Sequence, residues 1–412
     1  MKTELLEVEV KERFSLKKFM LSLGPGIITA ALVFGPSKMT ITSKLGADYG
    51  YSLLWIVALA IFFMVIFTSI GARIGVASKK SLLNTIRDKW GNKVAIAIGL
   101  GVFFVTTSFQ AGNSVGVGLA VAEITGTSQV LWIIVFNVIG IGLLFFRSFY
   151  KVLEKLMIIL VGVMLFSFVT TLFLVKPNLQ EVTVGFLKPS VPIGSLGLVI
   201  AFFASCFSIV GAFYQSYLVQ ERIKLNPEIV EKKSNSITGI LILGIMSAIV
   251  LICAAAVLNT QGLKVNSASD MAKAIEPLFG NYASALFLIG LFGASFSSLV
   301  GNATVGGTLI GDALGYGSEL NSKPVKAAIA LVMIFGAAIA IIFGKLPLEL
   351  IVFAQSVTIF LVPFIGVAMF AISIDAKIMG KYKNTKSATV FAFIGLLILV
   401  FLAFSNVKEL FY

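Results

Sequence analysis

Eleven stretches of apolar sequence, each of a length that crosses a bilayer, follow one another along this chain. They lie near residues 20–43, 50–77, 94–122, 130–146, 152–175, 192–219, 235–258, 279–311, 325–344, 348–374 and 387–405. A span takes about 20 such residues, and hydrocarbon allows only backbone that bonds within its own helix or within a closed barrel. Runs of this length read as helices, so the expected class is an all-α polytopic membrane protein with 11 transmembrane helices. With 58% hydrophobic and 12% charged residues, the chain has too little polar surface to coat a soluble globule. A cytoplasmic N-terminal segment is expected over 1–19, where charges alternate from Glu4 to Lys18, and a single transmembrane domain over 20–412.

Basic residues collect in loops on the cytoplasmic side. With the N-terminus inside and the C-terminus outside, 24 of the 32 Lys and Arg fall in inner segments and 6 in outer ones. The remaining two are Lys38 and Lys44, both inside the first span. The net charge of +13 is then topogenic, calling for anionic lipid at the inner face of a plasma membrane and for no nucleic acid.

Acids are as informative by their placement. Every Asp and Glu falls in a loop or near a helix end, and histidine is absent. Paired carboxylates, a histidine-supported nucleophile and a metal cluster are therefore all unavailable at mid-membrane, which argues against an enzyme. Cys206 and Cys253 sit inside spans, where thiols act as small apolar groups. No cofactor and no metal ligand set is expected.

What remains polar within the spans is concentrated at helix interruptions. The first span is broken by Gly35-Pro36-Ser37-Lys38, and the sixth by Ser208-Ile209-Val210-Gly211-Ala212, followed by Tyr214, Gln215 and Ser216. Irregular backbone at that depth is tolerated where it is buried in protein or lines a cavity. Breaks five spans apart suit a 5+5 inverted repeat, helices 1–5 over about 20–175 and helices 6–10 over about 192–374, with helix 11 over 387–405.

Several stretches resemble the Nramp family of proton-coupled divalent-metal transporters. They are Gly24-Pro25-Gly26, Gly46-Ala47-Asp48-Tyr49-Gly50-Tyr51-Ser52-Leu53-Leu54-Trp55, Ala72-Arg73-Ile74-Gly75-Val76-Ala77 and Ser216-Tyr217-Leu218-Val219-Gln220, with Ser297-Ser298, Ala354-Gln355 and Pro363-Phe364 further on. The resemblance implies a LeuT-like fold. It also locates the family's functional motifs, and here the residues differ. The metal-binding Asp-Pro-Gly-Asn falls on Gly35-Pro36-Ser37-Lys38, Met-Pro-His falls on Ser208-Ile209-Val210, and a further histidine falls on Gln215. The acidic pair of helix 3 is replaced by Gln110 and Asn113, whereas Gln355 matches a family glutamine.

A divalent cation needs donors that replace its hydration, and Lys38 brings positive charge instead. The expectation is a secondary transporter of a small monovalent anion, bicarbonate first, whose partner is that inorganic anion. Gly35, Ser37, Lys38, Ser208, Gly211 and Gln355 would bind it, with Gln110, Asn113, Tyr214 and Gln215 behind them. Two alternatives stand beside it: an Nramp-related divalent cation transporter, for magnesium or manganese, and a non-transporting sensor. Lys38 snorkelling to the interface, Lys44 doing the same, and the buried amides serving as interhelical glue are the plainer readings of these residues.

Overall fold

The pattern of long apolar runs is met by helices throughout. The computed structural model describes residues 16–146, 148–225, 236–265, 270, 272, 280–344 and 348–411, and no strand occurs among them. In chain order the helices are α1 (Leu16–Val33), α2 (Pro36–Tyr49), α3 (Leu54–Ala77), α4 (Leu82–Trp90), α5 (Asn92–Thr125), α6 (Gln129–Leu143), α7 (Phe149–Val175) and α8 (Leu179–Leu187). They continue with α9 (Leu196–Cys206), α10 (Ile209–Leu225), α11 (Ser236–Ala254, followed by a π-turn at Ala255–Asn259), α12 (Asn281–Ala313), α13 (Lys323–Phe343), α14 (Leu348–Ser373), α15 (Ala376–Met379) and α16 (Lys386–Phe411). Most of the expected 1–19 segment lies outside the described residues.

Eight of the described spans are long and apolar enough to cross a bilayer, against the eleven expected, and α9 with α10, the expected sixth crossing, counts as one of them. Large apolar side chains such as Phe104, Phe166, Phe173 and Phe404 face outward, as lipid-facing residues do. Two short helices join the expected set. Ser81 caps α4 by accepting the Asn84 N–H at 3.2 Å, and Asn178 caps α8 by accepting from Gln180 and Glu181. α8 leaves Leu179, Phe186 and Leu187 exposed and packs beside the start of α3.

The first break falls at Phe34 and Gly35. Gly35 is extended, Pro36 opens α2 as its first helical residue, and the Met39 N–H bonds back to the Gly35 carbonyl at 3.0 Å. A side chain at Gly35 would place a Cβ 2.8 Å from Ser298 Oγ, so this position keeps α12 against the break. The second break is narrower than the sequence suggests, lying at Phe207 and Ser208. Gly211 and Ala212, expected within it, belong to the first turn of α10, because the Ser208 hydroxyl accepts the Gly211 N–H at 3.1 Å and its carbonyl accepts the Ala212 N–H at 2.9 Å. Such a cap starts the helix earlier than the glycine alone implies.

α12 holds the bundle together, packed against α5, α7, α13 and α1. Its Gly301 lets α1 approach so closely that a Cβ there would lie 2.6 Å from the Leu32 Cβ. From the same helix the Ser297 hydroxyl donates to the Ala31 carbonyl at 2.9 Å, and Ser298 donates to the carbonyls of Ala31 and Leu32. The carbonyl end of α1, left without helical partners by the break, is thereby fixed in place.

Candidate functional site

The two breaks face one another across a cavity of about 60 Å³. Gly35, Ser37 and Lys38 line it from the first, Ser205 and Ser208 from the sixth crossing, Asn113 from α5, Asn302 from α12 and Thr358 from α14. That volume is about twice the roughly 30 Å³ a water occupies in the liquid. The first turns of α2 and α10 both border it.

Lys38 dominates the electrostatics. It is 1% exposed and its Nζ has no hydrogen-bond partner. The nitrogen lies 5.9 Å from the ring centres of both Phe34 and Phe202, and the Cys206 thiol is beside it. A ring face contributes about 0.5–2 kcal/mol to a cation, whereas withdrawing an ion from water costs several kcal/mol even after relaxation. The rings thus offset only part of that cost for an ammonium. No carboxylate lines the cavity, and among the described residues no group of three His, Cys, Asp or Glu side chains gathers. Lys44 is accounted for separately: it pairs with Asp48 at 2.8 Å, one turn on.

The other sequence-derived candidates divide. Ser37, Ser208 and Asn113 reach the cavity, and Gly35 shapes it. Gly211 stands just behind Ser208 and Val33. Gln110 spans to the next helix, donating to the Leu299 carbonyl at 2.8 Å and accepting from Asn113 at 3.4 Å. Gln215 accepts the Thr29 hydroxyl across α1 and α10, and Tyr214 meets the Thr308 hydroxyl at 3.5 Å while stacking on Tyr217. These three serve helix packing rather than the cavity. Gln355 lies in α14, but its side chain falls outside the described residues. Ser205, Asn302 and Thr358 join the site unforeseen; each is a polar residue inside an apolar run, the same signal that singled out Asn113.

One helical turn and more beyond the cavity, a second polar group ties α10 and α12 to the start of α4. The Tyr217 hydroxyl donates to Asp312 at 2.7 Å and accepts the Leu83 N–H at 3.1 Å, and Asn84 donates to the other carboxylate oxygen at 3.1 Å. Arg87 adds hydrogen bonds to the Asp312 and Ala313 carbonyls, each at 2.9 Å. Asp312 is 1% exposed, so this is a buried, fully partnered carboxylate.

Residues 26–408 match the family described as Nramp, natural resistance-associated macrophage protein-like. Similar proteins include the divalent metal cation transporter MntH of Deinococcus radiodurans, 24% identical with 93% of this chain and 89% of that protein covered. The MntH of Bacillus subtilis is 25% identical, with 92% and 89% covered. Among solved structures, a mutant manganese transporter of Eremococcus coleocola superposes with a TM-score of 0.76 at 19% identity, covering 98% of this chain and 89% of that one. MhsT in complex with L-phenylalanine gives 0.62 at 15%, covering 94% and 98%. These likenesses establish the LeuT-like fold.

They also correct the cargo expected above. Relatives named as divalent metal cation transporters, together with manganese-transporter structural neighbours, overturn the reading of a small monovalent anion, bicarbonate included, as cargo and partner. That reading rested on Lys38 calling for a mobile anion. In the structure two aromatic faces of the protein's own supply part of that complement.

Proposed function

Because the chain belongs to the Nramp family, whose members are membrane transporters and not enzymes, we propose that it carries a divalent metal cation across the plasma membrane through the cavity between its two broken helices. The observation that carries this reading is the convergence of neutral oxygen donors on that cavity: Ser37, Asn113, Ser208, Asn302 and Thr358. Hydroxyl and amide oxygens suit hard divalent ions, which retain part of their water when few charged ligands are offered. Magnesium and manganese fit this donor chemistry better than softer metals. The distribution of basic residues supports a cytoplasmic N-terminus and an external C-terminus.

The test is uptake of manganese and of magnesium into proteoliposomes holding an ion-sensitive dye, with protein-free vesicles as the baseline and labelled bicarbonate as a parallel cargo. Saturable uptake of either metal, reduced in Asn113→Leu, is the expected result. A folded, monodisperse protein that moves neither metal above baseline overturns the reading.

A further inference from the structure

A divalent cargo and the lysine lining its cavity are at odds in charge, and the chemistry of the amine offers a way out. We propose that Lys38 is a carbamylation site, its amine taking up carbon dioxide to become the anionic oxygen ligand that the cavity lacks. The purpose assigned to the carbamate rests on the divalent-cation reading, whereas the modification itself rests on the surroundings of the lysine.

Three observations converge on the side chain. Its Nζ is buried, borders the cavity and has no oxygen acceptor, with only the Cys206 thiol beside it. Its nearest aromatic neighbours, Phe34 and Phe202, stabilise a cation only weakly and provide no anion to hold it as an ammonium. The space beside it, about 60 Å³, admits a group of two or three heavy atoms.

The surroundings suit the product better than the starting ammonium. The start of α2, where Gly35 makes no side-chain cap, and the start of α10 bring the positive ends of two helix dipoles to the cavity. The hydroxyls of Ser37 and Ser208 stand within the same lining as donors. An anion on the lysine stem would have these donors around it, and a divalent ion would then find a charged oxygen pair among neutral ones.

The step balances without any oxidant or reductant. The amine nitrogen attacks the carbon of carbon dioxide and an N–C bond forms. One carbon–oxygen π bond opens onto oxygen, and two protons leave to water, one from the ammonium before the attack and one from the nitrogen after it. The side chain passes from cationic to anionic, and loss of carbon dioxide reverses it.

The experiment compares the purified full chain in detergent with and without carbon dioxide. After equilibration with ¹³C-labelled carbon dioxide, ¹³C nuclear magnetic resonance should show a carbamate signal that persists after exposed lysines have released theirs, and that is missing in Lys38→Arg. Manganese affinity by calorimetry should be at least tenfold higher in equilibrated than in stripped samples, and Lys38→Glu should bind without regard to carbon dioxide. Absence of the Lys38-dependent signal in folded protein overturns the modification, whatever the protein transports. A signal accompanied by manganese binding that ignores carbon dioxide overturns the ligand role. If the signal is present and neither metal is bound or moved, the carbamate stands and the divalent-cation reading falls.

Discussion

Replacing Lys38 with methionine should make the protein more stable while abolishing its transport. The stem of Lys38 is buried along with its head, and methionine keeps most of that volume while removing the one buried side-chain nitrogen among the described residues that has no geometric hydrogen-bond partner. Exchange of buried charged groups for apolar ones of similar size is commonly neutral or stabilising by about 1–4 kcal/mol. The lost contact with the Phe34 and Phe202 faces subtracts about 0.5–2 kcal/mol. The middles of the two ranges leave a gain of about 1 kcal/mol. Lys38→Ala separates the two contributions. It removes the same nitrogen but also three methylenes beyond Cβ, a loss of about 2–2.5 kcal/mol at roughly 0.8 kcal/mol each, so it should fall at or below the parent. The protein carries its own reporters, since Cys206 and Cys253 are both buried free thiols that a maleimide dye labels only on unfolding. Thermal melts in carbon-dioxide-free detergent should rank Lys38→Met above the parent and Lys38→Ala level with or below it. If methionine lowers the melting temperature as far as alanine does, the lysine head is making a stabilising interaction and the account of an uncompensated nitrogen is refuted.

Three other outcomes follow from specific contacts. Tyr217→Phe removes the hydroxyl between Asp312 and the Leu83 N–H and should destabilise the protein by about 1.5–3 kcal/mol, the range for hydrogen bonds to a charged group; an unchanged melt would show that Asn84 and Arg87 hold the carboxylate without it. Gly301→Ala puts a Cβ 2.6 Å from that of Leu32 and should cost about 1–3 kcal/mol by overpacking, with reduced uptake, because α1 has to move off α12; parental stability and uptake would mean the helices separate freely. At the chain's loop surface, the Lys89 ammonium and the Lys377 N–H hold the Asp375 carboxyl below the usual carboxylate range. Its contribution is complete above the unfolded value of about 3.9 and is lost as pH falls through the lower folded value. The melting-temperature gap between parent and Asp375→Asn should thus hold steady at neutral pH and close on the acid side; a gap independent of pH would remove the ion pair from the explanation.

Hydropathy is summed along the chain, and for that reason the long helices were readable from sequence, as was the break at Gly35-Pro36, where backbone chemistry is local. The nine-residue helices α4 and α8 were not, because their lengths are too short to leave a periodic signature and their starts depend on single caps at Ser81 and Asn178. The second break was drawn too wide for a similar reason: Gly211 reads as an interruption until the Ser208 hydroxyl is seen capping the helix across it. Within the site, Ser37, Lys38, Asn113 and Ser208 were found because polar residues in apolar runs are conspicuous. Gln215 is equally conspicuous, yet it turns to Thr29, since helix rotation decides which polar residue faces the cavity and composition carries no record of rotation.

The cargo was the hardest property to read because charge in a cavity is a collective quantity. One lysine fixes the sign of a single group, whereas the field at the cavity also contains two helix starts, two aromatic faces and seven neutral oxygen-bearing side chains. A cation can share this space with Lys38 only if the lysine is moved away, screened or chemically converted. Moving it away means carrying a buried stem past Phe34 and Phe202, and screening by those rings recovers too little to offset desolvation. Conversion needs no rearrangement of the helices and changes the sign of the charge within the broken stretch where the family's motif places its Asp on Gly35 and its Asn on Lys38. Lys38→Glu distinguishes these routes in one measurement. If conversion is the route, this variant moves manganese in carbon-dioxide-free buffer where the parent does not. If displacement or screening is the route, the parent moves manganese in that buffer too, and the carbamate has no part in transport.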